Sequence, residues 1–297
     1  MLGVRPIDIV LERLLLESGP QRLLHGRGGC YDGFHDISID WYPPCVVIGL
    51  FGTNTHKEIV EEVGRCEKVE GVLVQKRDGR NTTSEVVQGS VPEEYVCIEN
   101  GLKFQIQPKR NQNVGLFLDM VEVRQWVREH SRDANVLNLF AYTASFSVYA
   151  VSGGSTRVVN NDMSRSALNW GKINHQLNMQ HRSDVRMVPH NLFKSWWKLR
   201  QFGPYDLVIV DPPTRQGRSF NVEKNYAQVI KRISGLLSPH GRAVMCLNSP
   251  FHDFEYLSNL MKLRASDMRL EHWLPPAAEF EEVNPNAGLK VGVFRRN

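Results

Sequence analysis

Two rhythms of apolar positions divide this chain. From Gln21 to Lys109, short β-prone runs alternate with Gly, Pro and Asn clusters: Gln21–Leu24, Asp36–Trp41, Val46–Phe51, Gly71–Lys76, Tyr95–Glu99 and Leu102–Gln107. Each has the length and side-chain content of a strand. His56–Cys66 has a helical period, and so does Ile7–Leu16, whose apolar residues are interrupted by Asp8, Glu12 and Arg13. The latter predicts an amphipathic helix rather than a cleavable leader. Together these runs imply a small α+β domain with a mostly antiparallel sheet.

After Asp119 the pattern changes to alternating helix and strand. A helix near Asp119–Glu129 leads to a buried strand at Ala134–Phe140, then helix Thr143–Ser152, strand Arg157–Asn161, helix Ser164–Asn178 and strand Val185–His190. Strand Tyr205–Val210, helix Lys224–Leu237, strand Arg242–Leu247 and helix Phe254–Ser266 follow, and the runs Met268–Trp273 and Lys290–Arg295 close the series. Such alternation predicts a parallel sheet covered by helices. The polar stretch Gln105–Asn113, carrying Pro108, reads as the connector, which divides the chain into domains at 1–107 and 108–297.

The 297 residues suffice for two cores. With 41% hydrophobic and 23% charged residues, and no apolar run of membrane-spanning length, neither a membrane protein nor a disordered chain is expected. Cys30, Cys45, Cys66, Cys97 and Cys246 lack CxxC spacing, so no metal site or disulfide framework is indicated and a reducing cytoplasm fits best. A net charge of +4 leans towards a nucleic-acid partner. Its distribution says more. Arg27, Lys76, Arg77 and Arg80 lie in the first domain as candidate phosphate contacts, while Lys194, Lys198, Arg200, Arg215, Arg218 and Lys224 fall around the loops considered next.

In open parallel sheets, ligands bind outside the carboxyl ends of the strands. The loop after the first strand of the second domain, Asn138-Leu139-Phe140-Ala141-Tyr142-Thr143-Ala144, has none of the glycines that would cradle a pyrophosphate. A cofactor without phosphates remains. Asp162, in Asp162-Met163-Ser164, lies roughly twenty residues beyond Asn138, where an acid can accept ribose hydroxyls; Asp162 or Ser164 could equally cap the following helix. Asn191, followed by Phe193, is either a turn residue or an amide for an adenine edge. Most specific is Val208-Ile209-Val210-Asp211-Pro212-Pro213-Thr214, an apolar strand running into a carboxylate and two prolines that fix the backbone beyond it.

The loop Val136–Ser147, the Asp162-Met163-Ser164 turn, Asp211-Pro212-Pro213 and Asn113-Val114-Gly115-Leu116-Phe117-Leu118-Asp119 together resemble the bacterial large-subunit ribosomal RNA methyltransferases. Arg22 to Asp40 resembles, more weakly, the small domain that precedes the catalytic one in that family. The resemblance implies a Rossmann-like class I methyltransferase domain behind an RNA-binding α+β domain, with S-adenosylmethionine as cofactor. It implies that Phe117 and Asp119 lie near the methionine end, that the Asn138, Phe140, Ala141, Tyr142 and Thr143 loop wraps the cofactor, and that Asp162, Met163 and Ser164 serve the ribose. Asn191 and Phe193 would serve the adenine. The chain departs from the family pattern at Asn138 and Asn191, where acids are usual, and at Ala144 and Ser145, where glycines are usual.

Three chemistries are open. Carbon 5 of a pyrimidine needs a thiolate nucleophile, an exocyclic amine needs an acceptor for its hydrogens, and guanine nitrogen 7 needs only positioning. Thr214 and Asn248 stand where a thiol would be required, and Cys246 lies deeper in its strand. The family members that methylate guanine nitrogen 7 resemble the chain better, which assigns Asp211, Pro212, Pro213, Thr214 and Asn248 to holding the base. A factor that binds RNA without catalysis, or a methyltransferase for protein or small molecules, are the competing readings.

Overall fold

The structure, a computed structural model, describes residues 5–16, 19–78, 81–110, 112–181, 183–216 and 220–297. Arg80 and Arg218 lie outside the described residues. Contacts divide the chain into two units, Met1–Asp119 with Ala277–Pro285, and Met120–Pro276 with Asn286–Asn297.

In the first unit, helix α1 (Pro6–Leu16) buries Ile7, Val10 and Leu14, the stripe its spacing predicts. A five-stranded sheet runs in chain order: β1 (Gln21–His25), β2 (Ile37–Tyr42), β3 (Cys45–Leu50), β4 (Gly71–Asp78) and β5 (Asn81–Gly89). Every pair is antiparallel except β3 and β4, which are parallel and joined through α2 (Lys57–Gly64), since a parallel pair needs a crossover. Strand β5 was not predicted. It sits at the sheet edge with Val86 and Val87 still 37% and 44% exposed, so no buried face imposes an apolar alternation on its sequence. β6 (Tyr95–Glu99) and β7 (Leu102–Ile106) form a separate hairpin instead of extending the sheet. Their turn places Asn100 and Gly101 at φ 50° and 79°, the left-handed pair that an Asn-Gly hairpin favours.

The chain leaves this unit at Asp119 rather than at Gln107. The connecting stretch folds back: the Gln107 amide donates to the Val114 carbonyl at 2.9 Å, and the Tyr42 hydroxyl donates to the Leu116 carbonyl at 2.8 Å. Pro108 therefore marks a turn within the unit. Residues Ala277–Pro285 also belong here. Arg13 and the Tyr31 hydroxyl bind Glu281 at 3.0 and 2.9 Å, and Val283 N donates to Gly28 O at 2.8 Å. A Cβ at Gly28 would fall 1.8 Å from the Glu281 carbonyl, so only glycine admits this approach.

The second unit begins with α3 (Val121–Glu129) and continues β8 (Asn135–Leu139), α4 (Ser145–Ser152), β9 (Arg157–Asn161), α5 (Arg165–Leu177), β10 (Asp184–Val188) and α6 (Trp196–Arg200). Then come β11 (Tyr205–Val210), the two-residue strands β12 (Arg215–Gln216) and β13 (Phe220–Asn221), α7 (Val222–Ile233), β14 (Leu237–Asn248), α8 (Phe254–Arg264), β15 (Met268–Leu274) and β16 (Leu289–Arg296). The seven-stranded sheet has the order β10-β9-β8-β11-β14-β16-β15. The first five strands are parallel, and β16 runs antiparallel to both its neighbours. Strand order reverses between β8 and β11, so the carboxyl ends of these two strands open the crevice where a ligand belongs. Both faces are covered. Val136, Val158, Ile209 and Val244 pack against α3 and α4, while Leu137, Val208, Ala243 and Met245 pack against α7 and α8. This double burial makes the strands nearly continuous apolar runs.

Candidate functional site

The loop leaving β8 is the most strained segment beside the crevice. Phe140, Tyr142 and Ala144 have φ of 58°, 47° and 59°, left-handed values reached here without any glycine. Its surroundings hold it there: Ala141 N donates to Asn161 O at 3.0 Å, Tyr142 N to Asp162 Oδ2 at 3.0 Å, and buried Asn174 Nδ2 to Thr143 O at 2.9 Å. The glycine this arrangement does require is Gly171 on α5, where a Cβ would stand 2.8 Å from the Ala144 Cβ and 3.2 Å from Thr143 O.

Asp162 follows β9. Its other carboxylate oxygen accepts from Ser164 N at 2.7 Å, and the cap of α5 is Ser164, whose Oγ accepts from Ala167 N at 3.2 Å. Capping is thus done by Ser164, and Asp162 instead joins the β8 loop to the β9 turn. Burial raises its carboxyl above the usual value, opposed by the Ser164, Tyr142 and Met163 amides that favour the anion. With these amides in place the carboxylate still has lone-pair capacity for a hydroxyl donor.

Beside Asp162 lies a narrow slot bounded by Phe140, Met163, Asn191, Phe193 and Phe220. Phe193 and Phe220 stack with centroids 6.3 Å apart and planes at 19°, and Phe140 meets Phe220 edge-on at 5.0 Å. The slot thus presents aromatic faces and edges, the kind of surface against which an adenine ring packs. Asn191 Oδ1 accepts from Phe193 N at 2.9 Å, the turn role. Its Nδ2 has no hydrogen-bond partner among the described residues, so the amide keeps donors for a base edge. Phe220 escaped the sequence reading because its strand is two residues long and carries no periodic signal. An acceptor for ribose, a donor for a base and an apolar slot between them fit an adenosyl cofactor.

Asn138 lies in strand β8 itself. It is 1% exposed, and its Nδ2 donates to Asn160 Oδ1 at 2.9 Å, the residue opposite it on β9. From there a buried chain continues: Asn160 Nδ2 to Ser147 Oγ at 2.9 Å, Ser147 Oγ to His175 Nε2 at 2.9 Å, and His175 Nδ1 to Gln180 Oε1 at 2.7 Å. The Asn138 Nδ2 therefore ties β8 to β9 and α4, while its buried Oδ1 meets no hydrogen-bond partner among the described residues. Burial lowers the His175 imidazole to about 4, so it is neutral, with Nδ1 as donor and Nε2 as acceptor.

At the neighbouring strand tips, Asp211 is half-buried, Pro212 buried, and Pro213 and Thr214 exposed. Thr214 Oγ1 donates to the Asn248 carbonyl at 2.6 Å, bringing together two of the residues assigned to the base. Cys246 is fully buried in β14, and its carbonyl accepts from the Tyr226 hydroxyl at 2.7 Å.

The remaining candidates lie in the first unit. Phe117 is 41% exposed, and Asp119 sits in the short helical turn Leu118–Met120. Arg27 and Arg77 place their guanidinium carbons 4.3 and 5.1 Å from the centre of the Phe51 ring, so these two candidate RNA contacts share one aromatic platform. Arg77 also donates to Gln75 Oε1 at 2.9 Å and to the Gln112 carbonyl at 3.3 Å. Lys76, next along β4, is exposed.

The profile of a family described as S-adenosylmethionine-dependent methyltransferase matches residues 21–295. The chain is 32% identical to ribosomal RNA large subunit methyltransferase I of Aeromonas salmonicida over 61% of its own length and 49% of that protein. It is 34% identical to ribosomal RNA large subunit methyltransferase K/L of Shewanella pealeana, over 59% of this chain and 25% of that one. It thus spans about half the length, or less, of these curated relatives. In fold it is similar, with a TM-score of 0.86 and 20% identity, to a crystal structure described as a methyltransferase complexed with S-adenosylhomocysteine, covering 99% of this chain and 83% of that one.

Proposed function

The chain belongs to the S-adenosylmethionine-dependent methyltransferases, and from that premise we propose that it methylates large-subunit ribosomal RNA at ring nitrogen 7 of a guanine. Its relatives of types I and K/L support the RNA. One observation argues against carbon 5: Thr214 and Asn248 occupy the strand tips, while the Cys246 thiol is sealed in β14. Between the two nitrogen chemistries, the resemblance to the family members that methylate guanine nitrogen 7 favours the ring nitrogen.

Bound cofactor supplies an electrophilic methyl group on a sulfonium. Asp162 accepts from the ribose hydroxyls, Asn191 Nδ2 donates to the adenine edge, and Phe140, Phe193 and Phe220 keep water from the slot. Phe117 and Asp119 serve the methionine end. Guanine nitrogen 7 carries an available lone pair, so methyl transfer needs alignment and no general base. Asp211 accepts from the guanine amino and imino hydrogens and sets the ring's angle, while Pro212 and Pro213 hold that loop rigid. A base in structured RNA has to leave its stack to enter such a crevice. The first unit grips phosphates through Arg27, Lys76, Arg77 and Arg80, binding that weakens as salt rises. Such a substrate places the enzyme in the cytoplasm.

The test uses labelled S-adenosylmethionine with ribosomal RNA and subunits from a strain lacking this gene. Nucleoside analysis should yield 7-methylguanosine. A 5-methylpyrimidine, an N-methylated exocyclic amine, or label in protein alone would replace the proposal.

A further inference from the structure

β10 is the last strand of the seven-stranded sheet, so one of its edges has no strand partner among the described residues. Beside it, α5, β10 and α6 wall a cleft of about 560 Å³. Lys172, His181, Arg186 and Lys198 contribute basic groups to it, and none of its described lining residues is acidic. The nearby acid, Asp184, is engaged by Arg157 and Arg186 at 2.6 Å each.

The short helix α6 turns Leu199 fully into the core and leaves Trp197 64% exposed. Lys194 and Arg200, three residues to either side of Trp197, are exposed as well. Lysines along a free edge can serve simply to prevent strand pairing. That role does not call for a large aromatic ring in water among cations, a combination suited to stacking a base while holding its phosphates. The cleft also borders the aromatic slot: Lys198 Nζ lies 2.9 Å from Nε2 of His190, and His190 lines that slot.

We propose that this cleft and Trp197 form a track for single-stranded RNA on the catalytic unit. Phosphates lie against Lys172, His181, Arg186 and Lys198, and one base stacks on Trp197. The track delivers the strand past the outer wall of the cofactor slot. It rests on the RNA methyltransferase reading and gives the basic residues around α6 a role in it.

The experiment titrates a fluorescein-labelled, mixed-sequence single-stranded RNA oligonucleotide into the full chain over a series of salt concentrations, with cofactor titration on each variant as the control for an intact site. The double variant Lys172→Gln, Lys198→Gln should bind RNA about tenfold more weakly, and the slope of log affinity against log salt should flatten by about 1.4, roughly 0.7 for each lost phosphate contact. Trp197→Ala should weaken single-stranded RNA about fivefold or more, leaving the salt slope and the affinity for duplex RNA unchanged.

RNA affinities within about twofold of wild type in both variants, with cofactor binding intact, would overturn the track. If either variant loses cofactor binding, Lys172→Arg with Lys198→Arg, and Trp197→Phe, decide instead: they should keep RNA affinity, and losing it with an unchanged melting temperature overturns the track. A Trp197→Ala variant that loses duplex and single-stranded RNA equally removes the stacking role and overturns the assignment to single strands. If the variants show these shifts yet the wild-type chain methylates no ribosomal RNA, the substrate reading fails and the track stands. If methylation and RNA affinity both survive in the variants, the reverse holds.

Discussion

The Thr214 hydroxyl reaches the Asn248 carbonyl at 2.6 Å and so ties the end of β11 to the end of β14. This bond fixes the Asp211-Pro212-Pro213 loop relative to the neighbouring strand. Thr214→Val keeps the shape and removes the donor, at a cost of about 1 kcal/mol for one neutral hydrogen bond. Turnover on RNA should fall roughly five- to tenfold with cofactor affinity unchanged, and Thr214→Ser should restore most of it. Equal turnover in the valine variant would separate this bond from catalysis.

Cys246 provides the complementary test. Its side chain is in the core, so Cys246→Ala should cost about 1 kcal/mol of stability from lost packing and leave turnover near wild type. Loss of methyl transfer in a folded variant, or covalent trapping by RNA containing a 5-fluoropyrimidine, would return carbon 5 chemistry to consideration.

Asp162 joins two backbone segments and is proposed to bind the ribose. Asp162→Ala should weaken S-adenosylmethionine binding by about 1.5–3 kcal/mol, the loss expected for charge-assisted hydrogen bonds. Calorimetry reads this directly, and unchanged affinity removes Asp162 from the site.

Phe220 completes the aromatic slot from a two-residue strand. Truncation to alanine removes one side of the stack, and a loss of about 1 kcal/mol or more in cofactor affinity is expected. The same change at exposed Phe251, 85% open to solvent, should leave cofactor affinity alone and serves as the control.

Stability should fall with pH in a defined window. His175 and His25 are lowered from the ordinary 6.5 to about 4 and about 3, by burial in both and additionally by Arg22 and Arg27 around His25. A depressed value means that the folded chain binds fewer protons than the unfolded one. Stability is therefore complete above pH 6.5 and drains away as pH falls towards 4 for His175, by on the order of 3 kcal/mol. Denaturant titrations at several pH values should show the loss, and His175→Gln should reduce its slope.

The class of fold followed from the sequence because double burial writes itself into a strand: β8, β9, β11 and β14 are apolar on both faces, and helices with one buried stripe alternate with them. The positions of Asp162 and the Asp211-Pro212-Pro213 loop were legible for a related reason, since each stands directly after such a strand, whereas Asn191 lies three residues beyond the partly exposed β10. β5 was not legible, because an exposed edge strand is held by backbone hydrogen bonds that constrain side-chain type little. Nor could periodicity show that Asn138 points into a polar chain ending at Gln180, or that Phe220 closes on Phe193. Which partner a buried amide meets, and which ring faces which, depend on residues far apart in the chain being brought within contact distance. Local sequence determines the elements and the strand tips; only tertiary packing decides what those tips hold.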